Sequence, residues 1–388
     1  MRIKARKVEA VSVAFVLITL GSGAPVLADK TLEPWAQTGF LELVEDEVVG
    51  PISFSPDSGA LAASVRKGGF YFGRIWSSET GMQTGFLAAP FAALLTHEFT
   101  PLGDRVYAHT DTEFRAWSTD TGAQTTNFMF DGDHATNDVM FYADHFLAAK
   151  QFGGAEFWSD TGAKVTFAGL DAMRPYQEIT VTDSDLVFLK SAGFTLHLDL
   201  AGFDPATMDL IDVDGSFGPY APLLAVTDDG GMIATYPEVN GDGLSSAPEP
   251  TVRIWQDVPT WTPDATPLTE ITGFDGDILT AEFSDTDAQL LTLSDTGIVS
   301  LWRIEDGALL STISAPSDPI TGVTFAKGGT FVLSYTSGAA ALFDVAVGGI
   351  VQAFPAPASD IAISPDGTKM VTYGADAAAA RIWQLTTE

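Results

Sequence analysis

The sequence predicts an all-β fold made of repeated units, on three observations. Six of the eight tryptophans close short strand-like runs at a near-constant spacing. Trp76, Trp117 and Trp158 are 41 residues apart, and Trp255, Trp302 and Trp383 continue the series. Leu198 and Phe343 stand where two further members belong. Turn sequences such as Ser364-Pro365-Asp366-Gly367-Thr368 punctuate the same intervals. A period of about 40 residues with four short strands per unit is the mark of a β-propeller.

Taken in chain order, the first element is not part of that fold. Arg2, Lys4, Arg6 and Lys7 precede the apolar run Val11 to Leu20, and small residues then lead to Val26-Leu27-Ala28. This predicts a secretory signal peptide over residues 1–28, cleaved after Ala28. The apolar run is ten residues long, against about 20 for a bilayer span. Export without membrane insertion is therefore expected, to a bacterial periplasm or the exterior. Residues 29–39 read as an N-terminal segment and 40–388 as one propeller domain.

The first unit contains Ile52-Ser53-Phe54, the turn Ser55-Pro56-Asp57-Ser58-Gly59, a second strand from Leu61 to Val65, and a third ending Arg74-Ile75-Trp76. Proline presets φ early in such a turn, and Asp-Gly supplies its tight backbone positions. After the tryptophan a second turn leads to a fourth strand, as in Trp117-Ser118-Thr119-Asp120-Thr121-Gly122 and Trp158-Ser159-Asp160-Thr161-Gly162. Third strands ending at Trp76, Trp117, Trp158, Leu198, Trp255, Trp302, Phe343 and Trp383 imply eight blades. Seven is the alternative if the degenerate unit from Glu178 to Asp214 is irregular. The last unit ends five residues after Trp383, with no room for a fourth strand. Phe40-Leu41-Glu42-Leu43-Val44 is expected to supply it, joining the chain ends in one blade and leaving no open edge.

Ser-Pro-Asp-Gly, then Arg-Ile-Trp some 15 residues later, then Asp-Thr-Gly, resembles the WD40 repeat family, from about residue 40 to the C-terminus. The resemblance implies a rigid propeller scaffold for protein interaction. The Gly-His pair common in those repeats is missing throughout, which places their buried His-Ser/Thr-Asp-Trp hydrogen-bonded set in doubt. Its Asp member is matched at Asp111, Asp295 and Asp376. The tryptophans read as packing between blades.

Composition narrows the function classes. The chain has 19 basic and 51 acidic residues. Removing residues 1–28, which hold four basic residues and Glu9, leaves 15 and 50, a formal charge of −35. Such a surface repels nucleic acid and anionic lipid and favours cations or basic proteins. The absence of cysteine excludes disulfides and thiolate metal sites.

Three unusual loops fall on one predicted face, where strand four passes to strand one and strand two to strand three. They carry Asp131, Asp133 and Asp138; Asp212 and Asp214; and Asn240 with Asp242. Asp and Asn with glycine at sharp turns suit a hard cation such as Ca²⁺, but no loop fits the full EF-hand pattern, and the same residues serve ordinary turns. No cofactor is assigned, with Ca²⁺ as the alternative. On the opposite face, Trp261 sits in a proline-stiffened loop outside the repeat rhythm. Trp35 is also outside it. Each reads either as an interface anchor or as packing onto the blade rim. No nucleophile elbow, P-loop or H-E-x-x-H motif occurs. The five histidines (His97, His109, His134, His145 and His197) lie far apart, with His97 and His197 expected in strands.

The expected function is therefore a non-catalytic interaction scaffold that binds a protein partner, basic in character, through its acidic loop face. The alternative is a cation-stabilised propeller that binds or cleaves a small molecule or glycan near the central channel.

Overall fold

A computed structural model describes residues 35–91, 96–130, 135–142, 145–151, 155–159, 161–166, 178–181, 186–190, 195–199, 223–236, 251–256, 266–315, 317–326, 330–374 and 379–386. Among these residues the chain forms strands and turns and no helix. After β1 (Trp35–Phe40) the strands group in fours. The first sheet holds β2 (Val48–Phe54), β3 (Ala60–Lys67), β4 (Phe70–Ser77) and β5 (Gln83–Phe91). The second holds β6 (Glu98–Phe99), β7 (Arg105–His109), β8 (Glu113–Ser118) and β9 (Gln124–Met129). The third holds β10 (Thr136–Tyr142), β11 (His145–Lys150), β12 (Ala155–Ser159) and β13 (Lys164–Thr166). In the fourth, β14 (Glu178–Val181), β15 (Leu186–Lys190) and β16 (Thr195–Asp199) are described.

The fifth sheet holds β17 (Leu223–Val226), β18 (Met232–Thr235), β19 (Thr251–Gln256) and β20 (Thr269–Thr272). The sixth holds β21 (Ile278–Phe283), β22 (Gln289–Ser294), β23 (Ile298–Arg303) and β24 (Leu309–Ser314). The seventh holds β25 (Ile320–Ala326), β26 (Thr330–Tyr335), β27 (Ala340–Asp344) and β28 (Gly349–Phe354). The last combines β29 (Asp360–Ile363), β30 (Lys369–Tyr373) and β31 (Arg381–Leu385) with β1, in the order β1-β31-β30-β29. All pairings are antiparallel.

The repeat position identified in the sequence has one structural meaning. In every sheet the third-strand residue pairs with an apolar residue of the second strand. The pairs run from Leu61–Trp76 and Val106–Trp117 to Phe331–Phe343 and Met370–Trp383, and Val187–Leu198 keeps the register in the degenerate unit. Trp76, Trp117, Trp158, Trp302, Phe343 and Trp383 pack onto the preceding sheet. Trp117 joins Ala62 and Ile75 of the first sheet, Trp302 joins Val252 and Ile254 of the fifth, and Trp383 joins Leu342 and Phe354 of the seventh. Trp76 lies with Val371 and Ile382 of the last sheet, so the first and last sheets share a core. Each such ring removes some 150–250 Å² from water.

Three indoles also find a hydroxyl on the second strand. The Nε1–H groups of Trp255, Trp302 and Trp383 donate to Thr235, Thr292 and Thr372 at 2.9, 3.0 and 3.0 Å. The Trp–Thr half of the hydrogen-bonded set implied by the WD40 resemblance is thus present without its histidine. Asp295 instead accepts the Asp277 amide at 3.0 Å. Asp376 lies outside the described residues.

The turns obey local chemistry. Ser55 and Ser364 each donate to the aspartate two residues on at 2.6 Å and receive an amide from the start of the next strand at 2.8 Å. After the third strands, Gly81 and Gly122 take positive φ. A Cβ on either would lie 2.1 or 2.4 Å from the carbonyl oxygen of Phe40 or Phe86 on the preceding sheet's outer strand. Glycine there permits both the turn and the close approach.

The strand that completes the last sheet is Trp35–Phe40, not the expected Phe40–Val44. Trp35 is fully buried against Met370 and Trp383, and the Gln352 amide clasps its backbone. Trp35 N–H donates to Gln352 Oε1 at 2.9 Å, and Gln352 Nε2 donates back to Trp35 O at 2.6 Å. Residues 41–44 run on to the first sheet, where the Glu42 amide meets Gly81 O at 2.8 Å and the Trp76 indole meets Glu42 O at 3.0 Å. The strand assignment therefore moves into the segment read as 29–39. Trp35 is a core residue, which settles its role as packing.

Trp35→Ala is expected to lower unfolding free energy by about 3–5 kcal/mol, the usual cost of truncating a buried large ring. Urea denaturation of the variant beside the parent chain measures this.

Candidate functional site

The first strands of neighbouring sheets approach one another, and single polar contacts tie them. The Ile179 amide donates to Asp138 Oδ2 at 2.7 Å, and the Phe325 amide to Glu282 Oε2 at 3.2 Å. Tyrosine hydroxyls play the same part elsewhere: Ile278 N–H reaches Tyr236 at 3.4 Å and Ile52 N–H reaches Tyr373 at 3.2 Å. Backbone groups left over where two sheets meet are satisfied this way.

Between β17 and β21 the inner strands leave a cavity of about 290 Å³, with Thr180 of β14 also on its wall. Asp228, Glu282, Asp285 and Asp287 contribute carboxylates, and its lining contains no Lys, Arg or His. Its volume is at the lower end of the range for small-ligand sites. The sequence builds this acidity from two turns of the same kind, Thr227-Asp228-Asp229-Gly230 and Ser284-Asp285-Thr286-Asp287.

The four carboxylates are not equivalent. Burial pushes Glu282 up to about 7, against the Phe325 amide and Thr324 hydroxyl that favour its charged form, and Asp285 and Asp228 push the same way as burial. Asp287 is also raised, first by burial and then by Asp229, Asp228 and Asp285. Asp229, in the same turn as Asp228 but outside the cavity lining, moves the other way, held down by the Gly231 amide and then by the Thr227 hydroxyl. The cavity thus concentrates negative charge that lacks a cation in its own walls. An ammonium or guanidinium group entering it would relieve both repulsion and desolvation. Among the described residues, no three His, Asp or Glu side chains are arranged to hold a metal ion.

A second acidic group sits on the second and third sheets. The Tyr107 hydroxyl donates to Glu98 Oε2 at 2.6 Å, with Glu98 raised by burial. His109 is lowered by burial, which outweighs its contact with Thr110 O at 3.1 Å. His97 is fully buried, its Nδ1 3.1 Å from Ser64 Oγ. It immediately precedes β6, whereas the sequence reading placed it within a strand. His197 lies in β16 as expected.

Of the residues singled out from sequence, Asp138 is described, and its carboxylate holds the backbone. Oδ1 accepts its neighbour Val139 N–H at 2.9 Å, and Oδ2 ties β14 to β10 through Ile179. Asp131, Asp133, Asp212, Asp214, Asn240, Asp242 and Trp261 lie outside the described residues. Sequence reasoning missed Asp228, Glu282, Asp285 and Asp287. Their turns were legible as turns, but not the meeting of two turns 57 residues apart. Asp228, Asp285 and Asp287 lie at the end of the sheets where strand one passes to strand two.

No protein-family model matches the chain, and no curated protein matches it in sequence. Among solved structures, the propeller of Dos1 is similar with a TM-score of 0.65 at 12% identity, covering 94% of this chain and 98% of that one. The C-terminal WD40 domain of Sif2 matches with a TM-score of 0.61 at 14% identity, over 91% and 99%. The computationally designed Ika8 protein matches with a TM-score of 0.62 at 15% identity, over 90% and 99%. These likenesses show the fold, a WD40-like propeller of four-stranded antiparallel sheets.

Glu282→Gln retains an acceptor for the Phe325 amide and removes the ionisation. Because the folded-state pKa lies above the ordinary carboxylate value, stability contributed by the neutral group is complete below about pH 4.5 and is lost as pH rises through about 7. At 1.36 kcal/mol per unit, the shift from 4.5 to about 7 makes the variant more stable than the parent by about 3 kcal/mol at pH 8, and the difference nearly vanishes by pH 4.5. Denaturant melts across that range read the difference.

Proposed function

We propose that this chain is an exported, non-catalytic WD40-like propeller that serves as a protein-interaction scaffold and recognises positively charged partner segments. The observation that carries the reading is the acidic cavity between β17 and β21, four carboxylates with no basic residue in the lining. It sits in a fold of the kind seen in the Sif2 WD40 domain. The ring is proposed to hold eight blades, closed by β1 beside β31. Eight sheets in chain order and the shared core of the first and last support that closure. Export rests on the basic and apolar N-terminal residues.

Partners would approach an acidic surface, with association that is fast and weakens with salt. On this reading Asp131, Asp133, Asp212, Asp214, Asn240 and Asp242 add charge at one end of the ring. Trp261 adds an anchor at the end where the cavity turns lie, and Asp138 is kept for the fold. A second reading, favoured by the size and polarity of the cavity, is capture of a small organic cation there.

The test is a pull-down with residues 29–388 from periplasmic extract at low and high salt. A specific partner held at low salt and released at high salt is the expected result. Retention unaffected by salt, or no partner in either condition, would sink the charge-based scaffold. Thermal stabilisation by a small amine, absent in Glu282→Gln with Asp285→Asn, would then favour the second reading.

A further inference from the structure

The carboxylates of the acidic cavity are held in two different ways. The side chains of Asp228, Asp285 and Asp287 have no hydrogen-bonding or ion-pairing partner among the described residues. Glu282 has two donors, the Phe325 amide and the Thr324 hydroxyl, and neither is close. The amide is shared between its oxygens at 3.3 and 3.2 Å, and the hydroxyl lies 3.4 Å from Oε1. Charge-assisted bonds run at about 2.7–2.9 Å. Asp138, which also ties two sheets, receives its amides at 2.9 and 2.7 Å. The fold therefore seats Glu282 without the close donors that hold a carboxylate in its charged form.

We infer that capture of a basic partner here is coupled to a proton: the partner's ammonium group replaces the proton on Glu282, and acidification releases the partner. This rests on the reading of the cavity as a receptor for positively charged segments, and adds the condition under which it lets go.

Among the described residues, every charged group that faces Glu282 pushes the same way. β17 brings Asp228 at its end, with Asp229 next to it outside the lining, and the turn after β21 brings Asp285 and Asp287. β14 presents Thr180, and β22 and β25 carry no titratable residue. Burial acts in the same direction as these acids, so Glu282 keeps its proton up to about pH 7.

The exchange is balanced. A neutral Glu282 carboxyl meets an ammonium group, its proton passes to solvent, and a carboxylate–ammonium pair remains. The total charge within the cavity is unchanged, and what is gained is contact. An ammonium has three donors, enough for Glu282 and two of the unpartnered aspartates at once. Ala225 of β17 and Ala281 of β21 leave room beside it for an aliphatic stem. Pairing returns Glu282 toward the ordinary carboxylate range. Binding is therefore complete above about pH 7 and is lost as pH falls through that value.

The probe is a synthetic peptide alternating Lys with Ser, blocked at both ends so that nothing in it titrates between pH 6 and 8. Calorimetric titration into the full chain at low salt is expected to show affinity about tenfold lower at pH 6 than at pH 8. At pH 6 about one proton should leave per peptide bound, read from the dependence of the heat on the buffer's ionisation enthalpy. Glu282→Gln should bind equally at both pH values and release no proton. Asp285→Asn keeps Glu282 and removes a neighbour, so the midpoint should move to lower pH. The proton release of the parent chain decides the matter even where a variant binds too weakly to titrate. Equal affinity of the parent at pH 6 and pH 8, no proton released, or an unchanged pH profile in Glu282→Gln would overturn the coupling and leave the receptor reading standing. No binding at either pH would overturn both.

Discussion

The contact on which the rest depends is the third-strand aromatic against the second strand of its own sheet and the face of the sheet before it. One side chain in this position does two jobs. It sets strand register, because a one-residue slip would turn the ring to the wrong side of the pleat. It also supplies the largest apolar contact at the sheet-to-sheet boundary, as Trp117 does against Ala62 and Ile75. A sheet must bury its apolar face against another element, so stability arises at these boundaries. The small residues opposite the rings, such as Ala62 and Ala116, let the indoles approach closely.

With the boundaries carried by aromatics, the inner strands are relieved of packing duties and vary. Some inner positions carry an acid that ties to the next sheet, as Asp138 and Glu282 do. Others carry alanine, as β17 does at Ala225, and the space left beside it becomes the acidic cavity. The outer strands vary in a different way. Most are short, whereas β5 spans nine residues and carries the exposed Phe86. A scaffold of this kind can present unlike surfaces at its centre and at its rim while one core arrangement repeats underneath.

The repeat was legible in sequence because its cause is local and periodic. All eight third-strand positions fall in strands at the same register, including Leu198 and Phe343, where no tryptophan marks them. The Ser-x-Asp turns were legible for the same reason, since Ser55 and Asp57 bond within five residues. The closing strand was misplaced by five residues. Trp35 finds its partners, Gln352 and Trp383, more than 300 residues away, and no local pattern encodes that meeting. The acids around Glu282 were illegible on similar grounds, because the shift of Glu282 comes from burial between two sheets. Asp138 was read as a loop residue and stands in β10, since an aspartate in a loop and one tying two strands look alike in one dimension.

The central claim, that the third-strand indoles lock register and the boundaries between sheets, is tested most directly by exchange of the indole N–H protons, followed in nitrogen-15 spectra. Trp302 and Trp383, buried and bonded to Thr292 and Thr372, should exchange only through global unfolding, at the rate of the slowest backbone amides. Trp76, bonded to Glu42 O, should follow them. Rapid exchange of Trp302 or Trp383 while the strand amides stay protected would contradict the account, because the sheets would then hold without these contacts.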